Sequence, residues 1–270
     1  LLRRAKLYTD QLGRDDSALE DYQRVLDVEY GNVEALYAIA EIWRRRNDAN
    51  EVVAALHQTI DRAQQALPAE NQIAIFRELG TLYQSTLSQA SDAIDAWRRL
   101  LAVDPRDFEA MAALENLLRA EERWEEVIDV KMGRAAAYED GAEQIREYLE
   151  VAAIWENQVQ QKDRATTAYE KILEIDPKHD KAFFSLEELH LAAGRSEPVI
   201  ELYLNRHETR EDDKDKILLL RKIAKVYEEQ LEDKGQAFDA LFAAFEMDFN
   251  DNETCRYLER MAAATTRWTE

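Results

Sequence analysis

The chain has 270 residues, more than one compact core usually holds, so several domains or an elongated array are expected. Its 7 glycines and 4 prolines are too few for a fold rich in turns and strands, and 46% hydrophobic with 34% charged residues is typical of packed amphipathic helices. The formal net charge of −21 argues against binding to nucleic acid or to an anionic membrane, because both need clustered Lys and Arg side chains.

The first predicted helix carries Leu1, Arg4, Ala5 and Tyr8, whose steps of three, one and three place them on one stripe. A second helix follows, and the same pair of helices returns three times along the chain. The stripe recurs as Phe76-Leu79-Gly80-Tyr83, Tyr148-Val151-Ala152-Trp155 and Leu220-Ile223-Ala224-Tyr227, and the second helix is marked by Ala18, Ala93, Ala165 and Ala237, at spacings of 75, 72 and 72 residues. Because the third stripe member is always Ala or Gly, we expect two helix backbones to approach closely there.

A weaker hairpin lies between these copies, and its first helix has Glu in place of the small residue in three of four cases. The stripes are Leu36-Ile39-Ala40-Trp43, Met111-Leu114-Glu115-Leu118, Phe183-Leu186-Glu187-His190 and Cys255-Leu258-Glu259-Ala262. These helices are therefore expected to sit further apart or to be rotated. Asn32, Asp107 and Asp251 precede them and are predicted N-caps, whereas His179 is the exception. The repeat period is then about 72 residues, or four helices, with about fifteen helices in all.

The combined pattern resembles the tetratricopeptide repeat. Its best copy is Phe76, Leu79, Gly80, Tyr83, Ala93, Trp97, Leu100 and Pro105. The chain departs from the family at the step from Tyr83 to Ala93, which is one residue longer than usual, so the turn between the helices is expected to be longer, as in half-a-tetratricopeptide variants.

The resemblance implies an all-α, right-handed α-solenoid of antiparallel helical hairpins that covers residues 1–270 as a single array. The chain starts at Leu1 without Met, and its end, Arg267-Trp268-Thr269-Glu270, matches Arg123-Trp124-Glu125-Glu126 as the start of another helix. Both features suggest a segment of a longer protein. The Arg-rich repeats with Asp-Pro turns suggest a bacterial source.

No residue pattern predicts catalysis, a cofactor or a metal site. The four histidines, His57, His179, His190 and His207, lack ligand spacing, and there is no Gly-rich phosphate loop or nucleophile elbow. His190 falls on a core position. The single cysteine, Cys255, also falls on a core position, which predicts a buried small apolar side chain. We therefore expect a protein that is not an enzyme and has no small-molecule substrate.

In the family, the first helix of each hairpin lines the concave groove that holds a partner. Carried over by position, this predicts a partner-binding face formed by Tyr37, Arg44, Arg77, Gln84, Arg119, Lys181, Phe184, Arg221, Lys225 and Arg256. Tyr37 and Phe184 are candidates for apolar contacts. Arg77, Arg221 and Lys225 either hold a carboxylate of an extended peptide or are ordinary ion-paired side chains, and the sequence leaves both open.

The predicted function is a non-enzymatic scaffold that binds another protein or peptide along the concave face. Two alternatives are a scaffold of an RNA-processing complex of the half-a-tetratricopeptide type and a non-catalytic arm of a larger enzyme. No apolar run approaches the roughly 20 residues that span a bilayer. One cysteine fits a reducing compartment, which predicts the cytoplasm, with the periplasm open if a leader lies outside the segment.

Overall fold

The structure is a computed structural model that describes residues 1–268, and in that range the chain forms fifteen α-helices and no strand. It divides into two compact units, Leu1–Ala137 and Tyr138–Glu270. The first unit contains α1 (Leu2–Asp10), α2 (Asp15–Val28), α3 (Val33–Arg45), α4 (Ala49–Ala63), α5 (Ala69–Leu82), α6 (Ala90–Val103), α7 (Phe108–Ala120) and α8 (Trp124–Ala137). The second contains α9 (Gly141–Asn157), α10 (Lys162–Ile175), α11 (Asp180–Ala192), α12 (Ser196–Thr209), α13 (Asp213–Glu229), α14 (Lys234–Met247) and α15 (Asn252–Thr265).

Within each unit, every helix packs against the next one along the chain, and the short turns between them make neighbours antiparallel. The predicted all-α fold of stacked helical hairpins is thereby confirmed, as is the number of helices in the described range. The single array over the whole chain stays a prediction. Thr269 and Glu270, part of the predicted further helix, lie outside the described residues, and Trp268 lies in an exposed turn.

The small residues of the first-helix stripes are buried where the two helices of a hairpin pack, as the pattern predicts. Ala5, Ala152 and Ala224 have no exposed surface, and Gly80 is also buried. At Gly80, however, the close neighbour is a ring rather than a helix backbone, because a methyl group there would lie 2.5 Å from Cε2 of Trp97. The small side chain therefore makes room for the aromatic residue of the second helix.

The longer turn predicted after Tyr83 takes a specific form. A π-helical turn, Tyr83–Leu87, is followed by Ser88 in the left-handed conformation at φ 54°, and the N–H of Gln89 donates to the carbonyl of Tyr83 at 2.9 Å. The equivalent bonds are Arg14 N to Tyr8 O, Gln161 N to Trp155 O and Asp233 N to Tyr227 O. In the weaker hairpins the same closing bond spans one residue fewer, as from Arg195 N to His190 O at 2.9 Å. The extra residue is thus absorbed where the first helix ends.

The predicted N-caps are present. The side chains of Asn32 and Asp107 accept the N–H of Ala35 at 3.0 Å and of Ala110 at 2.9 Å, and Asp251 caps α15 in the same way. His179, the exception in the sequence, fills the same role, because its Nδ1 accepts the N–H of Ala182 at 3.2 Å. An imidazole nitrogen therefore replaces the usual oxygen at this position.

Two of the three glutamates in the weaker stripes, Glu115 and Glu187, are bonded to the second helix of the same hairpin. Glu115 accepts from Lys131 at 3.2 Å, and Glu187 accepts from the hydroxyl of Tyr203 at 2.6 Å. In these two hairpins, α7 with α8 and α11 with α12, the backbones approach over a shorter stretch than in α5 with α6 or α9 with α10. A charged hydrogen bond takes the place of the close packing of Gly80 and Trp97.

Cys255 corrects one prediction, because its side chain is partly exposed rather than buried. The position is buried in α3, α7 and α11, at Leu36, Met111 and Phe183. In α15, Sγ lies 3.6 Å from the carbonyl oxygen of Phe249 in the preceding turn, and no later helix packs over this one within the described range. None of the described helices is both long and apolar enough to cross a membrane.

Candidate functional site

The first helices of the hairpins, α1, α3, α5 and α7 in one unit and α9, α11, α13 and α15 in the other, form the predicted partner-binding face, called here the first-helix face. In the first unit, Arg44 of α3 bonds both carboxylate oxygens of Glu78 in α5, at 2.7 and 2.6 Å. It also reaches Glu41, one turn earlier, at 3.2 Å. The bond to Glu78 raises the pKa of Arg44, so this cation is held between two first helices.

Arg77 and Arg221 stand at equivalent repeat positions and make equivalent contacts. Arg77 of α5 pairs with Asp107, the N-cap of α7, and its Nε lies 3.5 Å from Glu109. Arg221 of α13 lies 3.6 Å from Asp251, the N-cap of α15, and pairs with Glu253. Both guanidinium groups therefore already hold carboxylates of the chain itself.

Arg119 belongs to a partly buried cluster around Glu115. The carboxylate of Glu115 accepts from Arg119 at 2.8 Å, from Lys131 at 3.2 Å and from Arg134 at 2.7 Å. Burial by itself raises the pKa of Glu115, but the hydrogen bond from Arg119 and the charges of Lys131 and Arg134 outweigh it and leave the pKa lowered. Arg119 thus helps to keep a buried carboxylate ionised.

The other two predicted residues of the first unit differ from each other. The hydroxyl of Tyr37 accepts from Asn71 of α5 at 2.9 Å, and the ring is partly buried. Gln84 is exposed, and within the described residues it makes no hydrogen bond. Of the five predicted residues in this unit, Gln84 alone is unengaged among residues 1–268.

In the second unit the first-helix face offers more unengaged groups. Phe184 of α11 is 54% exposed and rests edge-on against Phe183, with ring centroids 5.3 Å apart. Lys181 and Arg256 are exposed and form no ion pair within the described range. Lys225 is also exposed, and its Nζ lies 3.9 Å from Glu229 in its own helix. An exposed aromatic ring thus shares this face with three cations, of which two form no ion pair within the described residues and one has a carboxylate only at 3.9 Å.

Leu218 is a residue of this face that the sequence analysis missed. It is 47% exposed in α13 and lies one helical turn before Arg221. Leu218, Leu219 and Leu220 are consecutive, and a helix with one buried face cannot bury three consecutive side chains. The sequence could therefore have predicted that one of these leucines is exposed.

Polar contacts join the three first helices α11, α13 and α15 into one continuous surface. Lys222 of α13 donates to Glu187 of α11 at 2.6 Å. Glu228 of α13 accepts from Tyr257 and Arg260 of α15, at 2.7 and 2.8 Å. Burial and the bond to Glu228 raise the pKa of Tyr257, so its hydroxyl remains a donor. Among residues 1–268, no group of three or more His, Cys, Asp or Glu side chains is placed to hold a metal ion.

Several of the solved structures that this chain is similar to are described as tetratricopeptide repeat proteins. A tetratricopeptide repeat protein from Parabacteroides merdae is 16% identical, with 96% of each chain covered and a TM-score of 0.36. The C-terminal part of a repeat-containing protein from Cytophaga hutchinsonii is 14% identical, over 96% of this chain and 99% of that one, with a TM-score of 0.33. YrrB, described as a repeat protein with an unusual peptide-binding site, is 15% identical, over 77% of this chain and 99% of its own, with a TM-score of 0.31.

No family model matches the chain, and no curated protein does.

Proposed function

We propose that the chain is a non-enzymatic scaffold that binds an acidic, partly apolar peptide on the first-helix face of its second unit. The observation that carries the proposal is the exposed ring of Phe184 on a face that also presents the exposed cations Lys181, Lys225 and Arg256. The binding surface extends from α11 across α13 to α15, and Leu218 adds apolar area to it.

Physical chemistry supports this choice of partner. Aromatic residues are frequent anchors of protein interfaces, and truncating a central anchor costs about 2 kcal/mol or more. The cations would select acidic partners and speed their approach, although the chain as a whole carries −21. Because Arg77 and Arg221 already pair with internal carboxylates, the less engaged cations are the better candidates for peptide contacts.

Fluorescence anisotropy with a labelled peptide of sequence Glu-Glu-Leu-Phe-Glu-Glu tests the proposal. Phe184→Ala should weaken binding about ten-fold, because an exposed anchor is lost without a cavity in the core. The matched control is Leu204→Ala, which removes a 46% exposed apolar side chain from the second helix α12 and should leave the affinity unchanged. Equal affinities for the two variants would contradict the proposal.

The RNA-processing and enzyme-arm alternatives remain hypotheses, as does the cytoplasmic location. A labelled single-stranded RNA in the same titration addresses the first, since binding through phosphates must weaken steeply with salt.

A further inference from the structure

A cleft opens in the second unit on the side of the second helices, away from the residues proposed to bind the acidic peptide. It has a volume of about 560 Å³ and lies between α10 and α12, with α11 as its floor. Its apolar lining is Leu173, Pro177, Phe183, Leu186, Pro198 and Leu202. A cleft of this size accommodates one large apolar side chain and part of the chain that carries it.

Four glutamates surround the cleft: Glu170, Glu174, Glu201 and Glu208. Glu174 pairs with Lys171 at 2.7 Å on the exposed surface of α10. The other three make no hydrogen bond or ion pair within the described range. Burial raises the pKa of Glu170, the charge of Arg195 partly opposes this, and the charges of Glu174 and Glu201 raise it again. Although Arg195 and Lys171 act on Glu170, carboxylates outnumber the cations at this rim, and three of the four form no ion pair among the described residues.

The floor contains a buried polar group without a partner. His190 is 6% exposed and lines the cleft, and no described residue forms a hydrogen bond to its imidazole ring. Its Nδ1 is fully buried and unbonded. Buried polar groups in proteins are usually hydrogen-bonded, so this imidazole is an exception, and its neutral ring acts as part of the apolar floor of the cleft. Burial, followed by the charge of Arg195, lowers the pKa of His190, which favours the neutral ring.

The one cation in the lining is occupied. Arg206 is 2% exposed, pairs with Asp180 and donates to the carbonyl of Pro177 at 3.1 Å. Its guanidinium also lies over the ring of Phe183, 4.9 Å from the centroid. Arg206 is therefore held at one end of the cleft and does not reach the glutamates by any described ion pair.

The first unit has different residues at the positions equivalent to those that line the α10–α12 cleft. Between α2 and α4 a cleft of about 930 Å³ has Trp43 in the place of His190, and it includes Arg24 and Arg62 beside its acidic residues. Arg62 covers the ring of Tyr30, and Arg24 pairs with Asp21 at 3.5 Å. Between α6 and α8, Arg98 pairs with Glu126 at the positions that Glu170 and Pro198 hold in the second unit. The unpaired acidic rim and the unpaired histidine thus occur together in the α10–α12 cleft.

We propose that the α10–α12 cleft binds a basic peptide segment, with one apolar side chain inserted over His190 and flanking Lys or Arg side chains paired with the rim glutamates. The apolar lining supplies the burial, and the excess of carboxylates selects the positive charge. This site differs from the proposed acidic-peptide face, because its rim glutamates lie on α10 and α12 and attract the opposite charge; the two sites share only α11.

Isothermal titration calorimetry of the full chain with the peptide Lys-Lys-Leu-Leu-Lys-Lys tests this proposal. Glu170→Lys combined with Glu201→Lys should weaken binding at least about ten-fold, because two attractive charges become repulsive. The matched control is Glu246→Lys together with Glu232→Lys, which makes the same change of charge at exposed positions outside the cleft and should cost about two-fold or less through long-range charge alone.

A second peptide, Lys-Lys-Ser-Ser-Lys-Lys, separates insertion from charge attraction. It should bind at least about ten-fold more weakly than the leucine peptide, because it lacks apolar side chains to fill the cleft. Equal binding of the two peptides, or equal losses in the rim and control variants, would overturn the proposal. Leu218→Ala, an uncharged change at an exposed residue of the first-helix face on α13, should not change the affinity for the leucine peptide, so failure here and failure of the proposed function are distinguishable.

Discussion

At the scale of single residues, the core of each strong hairpin depends on a small residue facing a large one. The pairs at equivalent positions are Ala5 with Tyr22, Gly80 with Trp97, Ala152 with Tyr169 and Ala224 with Leu241. The smallest member, Gly80, occurs with the largest partner, Trp97, which explains a glycine inside a helix. The glycine costs about 1 kcal/mol of helix propensity relative to alanine. Packing of the indole ring offsets that cost.

Replacing Gly80 by Ala should therefore destabilise the chain, although alanine is the better helix former. The new methyl group would lie 2.5 Å from Cε2 of Trp97, and overpacking of this kind costs about 1–3 kcal/mol. Urea unfolding followed by circular dichroism measures the effect. Gly133→Ala in α8 is the control, because a methyl group there meets nothing within 4 Å and should stabilise by about 1 kcal/mol. Adding Trp97→Tyr to Gly80→Ala should recover stability, and a neutral Gly80→Ala would contradict the packing explanation.

At the scale of elements, the first helices end in left-handed residues, and most of these are not glycine. Gly13 and Gly194 adopt this conformation without steric cost, whereas Asn47, Ser88, Glu122, Gln160, Glu232 and Thr266 adopt it with a side chain present. A left-handed residue with a Cβ costs about 1–2 kcal/mol. The turns therefore store strain that the repeat pattern tolerates.

Gln160→Gly should relieve one of these turns and stabilise the chain by about 1 kcal/mol. Gln160 stands at φ 58°, at the repeat position that Gly13 occupies in the first copy. Gln158→Gly, two residues earlier at φ −97°, should instead destabilise, because glycine there only adds freedom to the unfolded chain. Thermal unfolding of both variants decides the question, and a lower melting temperature for Gln160→Gly would show that the turn is unstrained.

The helices and their order could be predicted from the sequence because each apolar stripe must be buried against a neighbour, and its period is visible without coordinates. The ion-pair partners of the charged residues could not be predicted from the sequence. Arg77 and Arg221 have many carboxylates nearby in sequence, and their pairing with an N-cap two helices later depends on how the hairpins stack. His190 was correctly predicted to be buried. The cleft above it depends on the distance between α10 and α12, which the pattern of apolar residues does not reveal. Cys255 was predicted wrongly because its stripe position has no covering helix in α15 within the described residues.

At the scale of the whole molecule, the two surfaces proposed in the second unit have opposite charge preferences. The first-helix face presents Lys181, Lys225 and Arg256, and the α10–α12 cleft presents glutamates. A scaffold with both surfaces could hold two different partners at once without competition between them. The strong net charge of −21 also disfavours non-specific association of such an open surface with other acidic proteins.

The chain should also separate into two stable parts when it is cut between Ala137 and Tyr138, the boundary between its compact units. In repeat proteins most stabilising contacts join neighbouring hairpins, so each part retains the contacts that hold its own helices together. Residues 1–137 and 138–270, expressed separately, should each give helical circular dichroism and a cooperative thermal transition. A cut between Asn157 and Gln158 is the control, because it separates α9 from α10 and exposes the buried ring of Tyr169, so residues 158–270 should melt at a lower temperature than residues 138–270. Loss of helix in either part under conditions where the full chain stays folded would show that the two units depend on each other for stability.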